Sequence, residues 1–181
     1  MAENYTRTQV MWSRRRFIFV GIAGAIAAGV ALVLPRVGKS DAAPQGSTLA
    51  QEHANMLRVV AAAVLGPALP VDAISRDAEL TRVITAAGAL IDNFPASTRR
   101  EVGDLFGLLA LKPARMILGF SGNWDMMDAP AVAQSLLALR DSSIGLKQQA
   151  YFALHDMVLG SFYAEPKTWV STGYPGPPKL A

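Results

Sequence analysis

The sequence predicts an all-α protein, a small bundle of about five helices with a leader before it and an extended Pro/Gly/aromatic tail after it. Apolar residues recur at three- and four-residue spacing over 48–163, the period of helices that each bury one face. No segment shows sustained alternation of β-branched and aromatic residues, and no Asn-Gly or Asp-Gly pair signals a hairpin. The 181 residues therefore divide into a leader (1–42), a helical domain (43–166) and a tail (167–181).

Caps and breakers set the predicted ends of the helices. A capping box begins at Thr48, and Gly66 followed by a proline stops the helix that it opens. Ser75 is the predicted cap of the second helix, and Asp128 precedes a proline in the way that opens the fourth. The five long helices, with a short apolar one between the third and fourth, are predicted over about 48–65, 75–92, 97–111, 114–120, 129–141 and 144–163.

The positive charge of the chain is confined to the leader. Residues 1–42 sum to +4, whereas residues 43–181 sum to −1. No run of Lys and Arg suited to phosphates remains in the helical domain, so nucleic acid is disfavoured as a partner. The chain has no cysteine, which excludes a disulfide scaffold, an iron–sulfur cluster, covalently attached c-type haem and a thiol nucleophile.

The leader has the three parts of a targeting segment. Ser13, Arg14, Arg15 and Phe17 match the Ser/Thr-Arg-Arg-x-Phe core of the twin-arginine export signal, which the segment resembles. An uncharged Gly/Ala-rich run over 17–34 follows. The resemblance implies recognition by the twin-arginine translocase and a periplasmic location for the helical domain.

Two fates of the leader stay open. Small residues at Ser40 and Ala42 suit cleavage after Ala42, which would release a periplasmic protein. Alternatively, the uncharged run is retained as an inner-membrane anchor, since its eighteen residues would span roughly 27 Å as a helix.

The sequence offers little that is suited to catalysis. His53 and His155 are the only histidines, they stand on different predicted helices, and neither belongs to an HExxH or ExxH pattern. Buried or capping roles explain them better than a metal site does. No Gly-x-Ser-x-Gly elbow, Rossmann motif or Walker motif is present. We therefore predict no catalytic, cofactor-binding or metal-binding residue in this chain.

The C-terminal tail is the strongest signal outside the leader. Residues 151–174 hold six of the fourteen aromatic residues of the chain. Prolines and glycines after Pro166 favour an extended, polyproline-like course, in which Trp169 and Tyr174 need a surface to pack on. That surface is either their own bundle or a partner, for which Trp and Tyr are favoured anchors. The predicted partner-docking residues are Phe162, Tyr163, Trp169, Tyr174 and Pro175.

Leader and tail together resemble one known family. The ending Phe162-Tyr163-x-x-Pro166-x-x-Trp169-x-x-x-Gly173-Tyr174-Pro175-Gly176-Pro177 is similar to that of the small-subunit family of gluconate 2-dehydrogenase. The same family includes small subunits of other periplasmic FAD-dependent sugar and alcohol dehydrogenases. Between leader and tail, the chain is similar to the family only in being helical.

The resemblance implies a non-catalytic subunit that binds, helps to mature and co-exports a large flavoprotein of the glucose-methanol-choline type. FAD would then belong to that partner, and a separate cytochrome c subunit would accept the electrons. The alternative is a stand-alone periplasmic or membrane-anchored helical binding protein, in which Trp169 is shielded by its own fold. An independent hydrolase or metalloenzyme would need a site that the sequence does not contain.

Overall fold

The computed structural model describes residue 49 and residues 51–177. The predicted leader with its predicted export motif, the predicted capping residue Thr48 and the last four residues of the tail lie outside this part. The six α-helices within it are α1 (Gln51–Leu65), α2 (Ala73–Asp92), α3 (Ala96–Ala110), α4 (Lys112–Ile117), α5 (Ala129–Arg140) and α6 (Gly145–Tyr163). Short 3-10 helices cover Gly66–Ala68, Trp124–Met126 and Pro166–Thr172.

The all-α prediction is confirmed, because the described residues contain helices and no strand. The five predicted long helices and the short one are all found, with ends shifted by a few residues. The predicted cap of α2 is wrong: Asp72, not Ser75, is the N-cap, and its carboxylate accepts a hydrogen bond from the Ser75 backbone N–H at 2.8 Å. This hydrogen bond lowers the pKa of Asp72 below its ordinary value. Asp128 caps α5 as predicted.

Helix α1 lies at the centre of the bundle and contacts α2, α3, α5 and α6. Its apolar positions repeat with the helical period, so one stripe of the helix is removed from water. The surrounding helices turn their own stripes toward it. The buried core residues of the long helices are Met56, Leu57, Val60, Ala61 and Leu65 in α1; Leu80, Val83 and Ala87 in α2; Leu105, Phe106 and Leu109 in α3; Val132, Leu136 and Leu139 in α5; and Ala150, Leu154, Met157, Val158 and Phe162 in α6.

The connection between α3 and α5 is tied to the core by a tryptophan. Pro113 is tolerated in the first turn of α4, so this helix begins two residues earlier than predicted. Beyond it, Trp124 is buried and donates a hydrogen bond from Nε1 to the carbonyl oxygen of Leu109 at 3.1 Å. Its ring centroid lies 5.1 Å from that of the buried Phe120. The 3-10 helix around Trp124 is thereby held against α1.

Leu137 and Phe152, expected to face inward with the other apolar residues of their helices, lie at the surface and are 46% and 47% exposed. Leu137 follows the buried Leu136 directly, and Phe152 comes two residues before the buried Leu154, so the helical period turns both side chains away from the core. None of the helices in the described residues is long and apolar enough to cross a bilayer.

Truncating a core residue of α1 should be costly. We expect Leu57→Ala, at a fully buried site, to lower the free energy of unfolding by about 2–5 kcal/mol, because it leaves a cavity among helices that can only partly close it. Urea unfolding followed by circular dichroism measures the loss. Leu137→Ala is the matched control and should change stability by about 0.5 kcal/mol or less. Equal losses in the two variants would contradict this packing.

Candidate docking surface at the C-terminal tail

The tail folds on itself rather than extending from the bundle. The extended course predicted after Pro166 is wrong over Pro166–Thr172, which forms a 3-10 helix. The hydroxyl groups of Ser171 and Thr172 donate to the carbonyl oxygens three residues earlier, at 2.8 and 2.7 Å. Gly173 then ends the helix in the left-handed conformation, with φ of 73°, which glycine adopts without a steric penalty.

Trp169 fastens the tail to the end of α6. Its Nε1 donates a hydrogen bond of 2.7 Å to the carbonyl oxygen of Tyr163. The ring of Tyr174 meets it edge to face with centroids 5.4 Å apart, and Gly176 lies so close that an added Cβ would stand 3.5 Å from the indole. The sequence left two surfaces on which Trp169 could pack, its own bundle or a partner. In the structure, Trp169 packs on its own bundle.

Glu79 of α2 connects the tail to the helical domain. Its carboxylate, in a side chain only 11% exposed, accepts two hydrogen bonds from Arg82 at 2.6 and 3.0 Å. The other carboxylate oxygen lies 3.1 Å from Nζ of Lys167 in the tail. One carboxylate thus pairs with a cation of its own helix and with a cation of the tail.

Arg82 extends this cluster to the end of α6. Its Nη2 donates to the carbonyl oxygen of Phe162 at 3.3 Å, and its guanidinium lies 5.9 Å from the centre of the Phe162 ring. Thr168 of the tail is buried and donates from Oγ1 to the same carbonyl oxygen at 3.2 Å. The Phe162 carbonyl is therefore a shared acceptor that joins α2, α6 and the tail.

The cluster lowers the pKa of Glu79 below its ordinary value, chiefly through the hydrogen bonds from Arg82. Burial opposes this lowering, and the hydrogen bond from Lys167 adds a smaller contribution to it. A carboxyl group whose pKa is lowered by folding stabilises the folded state above the ordinary glutamate pKa. That contribution is lost as the pH falls through the folded-state pKa.

The structure distributes the predicted docking residues over two environments. Phe162 is 3% exposed and belongs to the core, so its prediction as a docking residue is corrected. Pro175 is exposed, Tyr174 is half exposed, Tyr163 is about a third exposed at 36%, and Trp169 is half-buried against the bundle. These four residues lie together at the end of α6 and in the tail.

Sequence reasoning missed Val170, which at 81% is the most exposed large apolar side chain among the tail residues that the structure describes. In a segment predicted to be extended, a single valine does not indicate whether its side chain faces the bundle or the solvent. Glu79 and Arg82 were also missed, although their three-residue spacing on a helix is a recognisable ion-pair pattern. Nothing in the sequence pairs Glu79 with Lys167, which is 88 residues later.

The two histidines have separate aromatic partners. His53 of α1 packs on Phe106 of α3 with ring centroids 5.3 Å apart, whereas His155 stacks on Tyr151 of its own helix at 5.1 Å. Nδ1 of His155 lies 3.1 Å from a carboxylate oxygen of Asp156, the next residue of α6. In the part of the chain that the structure describes, no three His, Asp or Glu residues form a group able to hold a metal ion.

Comparisons of the chain with known family models, with curated proteins and with solved structures find no match. The resemblance of leader and tail to the small-subunit family of gluconate 2-dehydrogenase therefore stays a prediction.

Removing the charge of Glu79 should loosen the tail. We expect Glu79→Gln to lower the free energy of unfolding at pH 7 by about 1–2 kcal/mol, because Arg82 and Lys167 lose charge-assisted partners. The difference from the unsubstituted protein should shrink once the pH falls below the ordinary glutamate value of about 4.3. Urea unfolding at a series of pH values measures both effects.

Glu101→Gln is the matched control for this experiment. The pKa of Glu101 is raised, first by burial and then by the nearby charge of Asp104, so its ionised form does not stabilise the folded state. Glu101→Gln should leave stability at pH 7 unchanged or slightly higher. A loss in Glu79→Gln that is independent of pH would contradict the role given to the Glu79 charge.

Proposed function

We propose that this chain is a non-catalytic small subunit that binds, helps to mature and co-exports a periplasmic FAD-dependent dehydrogenase of the glucose-methanol-choline type. The observation that carries the proposal is a tail held in place on the bundle while Val170 and Tyr174 are left exposed. Apolar and aromatic side chains that a rigid support presents to solvent are favoured anchors of protein interfaces, because little further ordering is needed on binding.

The division of labour is the one that the resemblance to the small-subunit family implies. FAD and the substrate would be bound by the large flavoprotein, and a cytochrome c subunit would receive the electrons. This chain would contribute the export signal and a docking surface made of Tyr163, Val170, Tyr174 and Pro175. Trp169 would act within the subunit, because its indole N–H and ring hold the tail in the shape that the partner meets.

A stand-alone periplasmic or membrane-anchored helical binding protein is the second candidate, and one observation favours it. Shielding of Trp169 by its own fold is what that class predicts, and the indole is half-buried against Tyr163 and Tyr174. Purification of the exported protein from its native host separates the two candidates. Co-purification of a protein with flavin absorbance supports the subunit, and a bare chain supports the stand-alone protein.

Changing the exposed residues of the tail should disrupt the complex without unfolding the subunit. We expect Val170→Asp combined with Tyr174→Ala to weaken binding of the flavoprotein at least about tenfold, since both side chains would lose a desolvated contact. Surface plasmon resonance with the immobilised flavoprotein measures the affinity, and circular dichroism checks the fold.

Leu137→Asp is the control for this pair. It places a carboxylate at an exposed apolar residue of α5, a helix that packs on α1 and α6. This variant should bind the flavoprotein as the unsubstituted chain does. If it weakens binding as much as the tail variant does, the docking surface is not the tail.

The export signal should serve both proteins. We expect Arg14→Lys combined with Arg15→Lys to retain this chain and its flavoprotein in the cytoplasm, because the partner would depend on this leader for export. Cell fractionation with immunoblotting measures where each protein lies, and Arg7→Lys, outside the paired arginines, is the control. Normal export of the flavoprotein beside the double variant would rule out co-export.

A further inference from the structure

Arg115 of α4 is a charged residue buried at the edge of the core. It is only 5% exposed, and no carboxylate of the described residues forms an ion pair with it. Its guanidinium lies 5.6 Å from the centre of the Trp124 ring. A buried guanidinium without a counter-charge is unfavourable, so this arrangement calls for an explanation other than stability.

Arg115 uses only some of its N–H groups in hydrogen bonds. Nη1 reaches the Leu109 carbonyl oxygen at 3.5 Å and Nη2 reaches Oδ1 of Asn123 at 3.4 Å, both at the long limit of a hydrogen bond. Nε is buried and has no acceptor among the residues that the structure describes. A guanidinium carries five N–H donors, so at least three of them remain for an acceptor.

Arg115 lines a cavity of about 230 Å³ between the start of α1 and the segment after α4. Asn55 and Asn123 also line it, and each uses its amide oxygen internally: that of Asn55 accepts from Gln51 at 3.1 Å, and that of Asn123 accepts from Arg115. Their amide N–H groups have no acceptor within the described part of the chain. The cavity therefore offers free amide and guanidinium donors, and the side chains of Glu52, His53 and Asp125 line it as well.

The acidic residues of the cavity lie at its rim. Glu52 and Asp125 are exposed, whereas Arg115 and Trp124 form the buried part. Charges in contact with water are screened far more than a buried charge is, so the deep guanidinium dominates the electrostatics of the interior. The rim carboxylates reduce the affinity for an anion without cancelling it.

We propose that this cavity is a binding site for a small molecule with a carboxylate group. The carboxylate pairs with the guanidinium of Arg115, whose planar fork matches two carboxylate oxygens and supplies the missing counter-charge. The amide groups of Asn55 and Asn123 donate to the same ligand, and Trp124 provides an apolar wall. This site is independent of the docking surface on the tail and of the flavoprotein.

The test uses benzoate and acetate as probes, with benzamide and acetamide as neutral controls of the same shape. Each is titrated into the purified full-length protein at low ionic strength, and two-dimensional NMR follows the Nε–H signal of Arg115. We expect both carboxylates to shift this signal saturably and to bind at least about tenfold more tightly than their amides. Inorganic phosphate is titrated as the competing anion.

Four variants test whether the named residues form the binding site. The fold of each variant is checked by circular dichroism. Binding is followed through the NMR signals of the other residues that line the cavity. Arg115→Lys should reduce benzoate affinity at least about tenfold, because an ammonium group lacks the fork. Should that variant unfold, Asn123→Ala, at an exposed position, should still weaken binding severalfold. Glu52→Gln should tighten binding severalfold by removing a rim charge, whereas Glu165→Gln, outside the cavity, should change nothing.

Three outcomes would overturn the proposal. One is equal binding of carboxylates and amides, or no saturable binding of either carboxylate. Another is binding of phosphate alone, which would point to a site shaped for a different anion. The third is unchanged benzoate affinity in both Asn123→Ala and Glu52→Gln, which would place any binding elsewhere on the protein.

Discussion

The C-terminal part of the molecule depends on the ion pairs that the carboxylate of Glu79 forms. This carboxylate pairs with Arg82 within α2 and with Lys167 in the tail, and Arg82 continues to the carbonyl oxygen at Phe162. A single ion pair at a protein surface contributes little, but these two pairs share a carboxylate that is only 11% exposed. Together they fix the start of the tail on the bundle, so that the indole of Trp169 closes over the end of α6 and Val170 and Tyr174 face solvent.

Most of the fold could be predicted because it rests on local rules. Helical periodicity identified the stripes of α1, α2, α3, α5 and α6, and the cap at Asp128 behaves as its sequence pattern indicates. The cap of α2 was misassigned to Ser75 because Asp72 and Ser75 are both favoured N-cap residues, and only the backbone geometry decides between them. Leu137 and Phe152 show that an apolar residue next to a buried stripe, but off its helical spacing, does not reach the core.

The candidate sites were predicted less well, because they depend on contacts between distant parts of the chain. Proline and glycine composition indicated an extended tail, yet the hydroxyls of Ser171 and Thr172 and the packing of Trp169 stabilise a 3-10 turn there. Arg115 lies in a segment that was predicted to be a short apolar helix. Its burial beside Asn123 depends on how the chain folds and could not be predicted from the sequence. The export motif at Arg14 and Arg15 is a prediction from the sequence alone, and it lies outside the described residues.

The central claim is that the tail is already ordered on the bundle before any partner binds, and indole hydrogen exchange tests it most directly. The Nε1–H signals of Trp12, Trp124 and Trp169 can be told apart in an NMR spectrum with the help of Trp169→Phe. The hydrogen bond from Trp169 to Tyr163 predicts that the Trp169 signal of the isolated protein exchanges at least about tenfold more slowly than a free indole. Exchange at the rate of free indole would contradict the claim, because the tail would then be detached from the bundle.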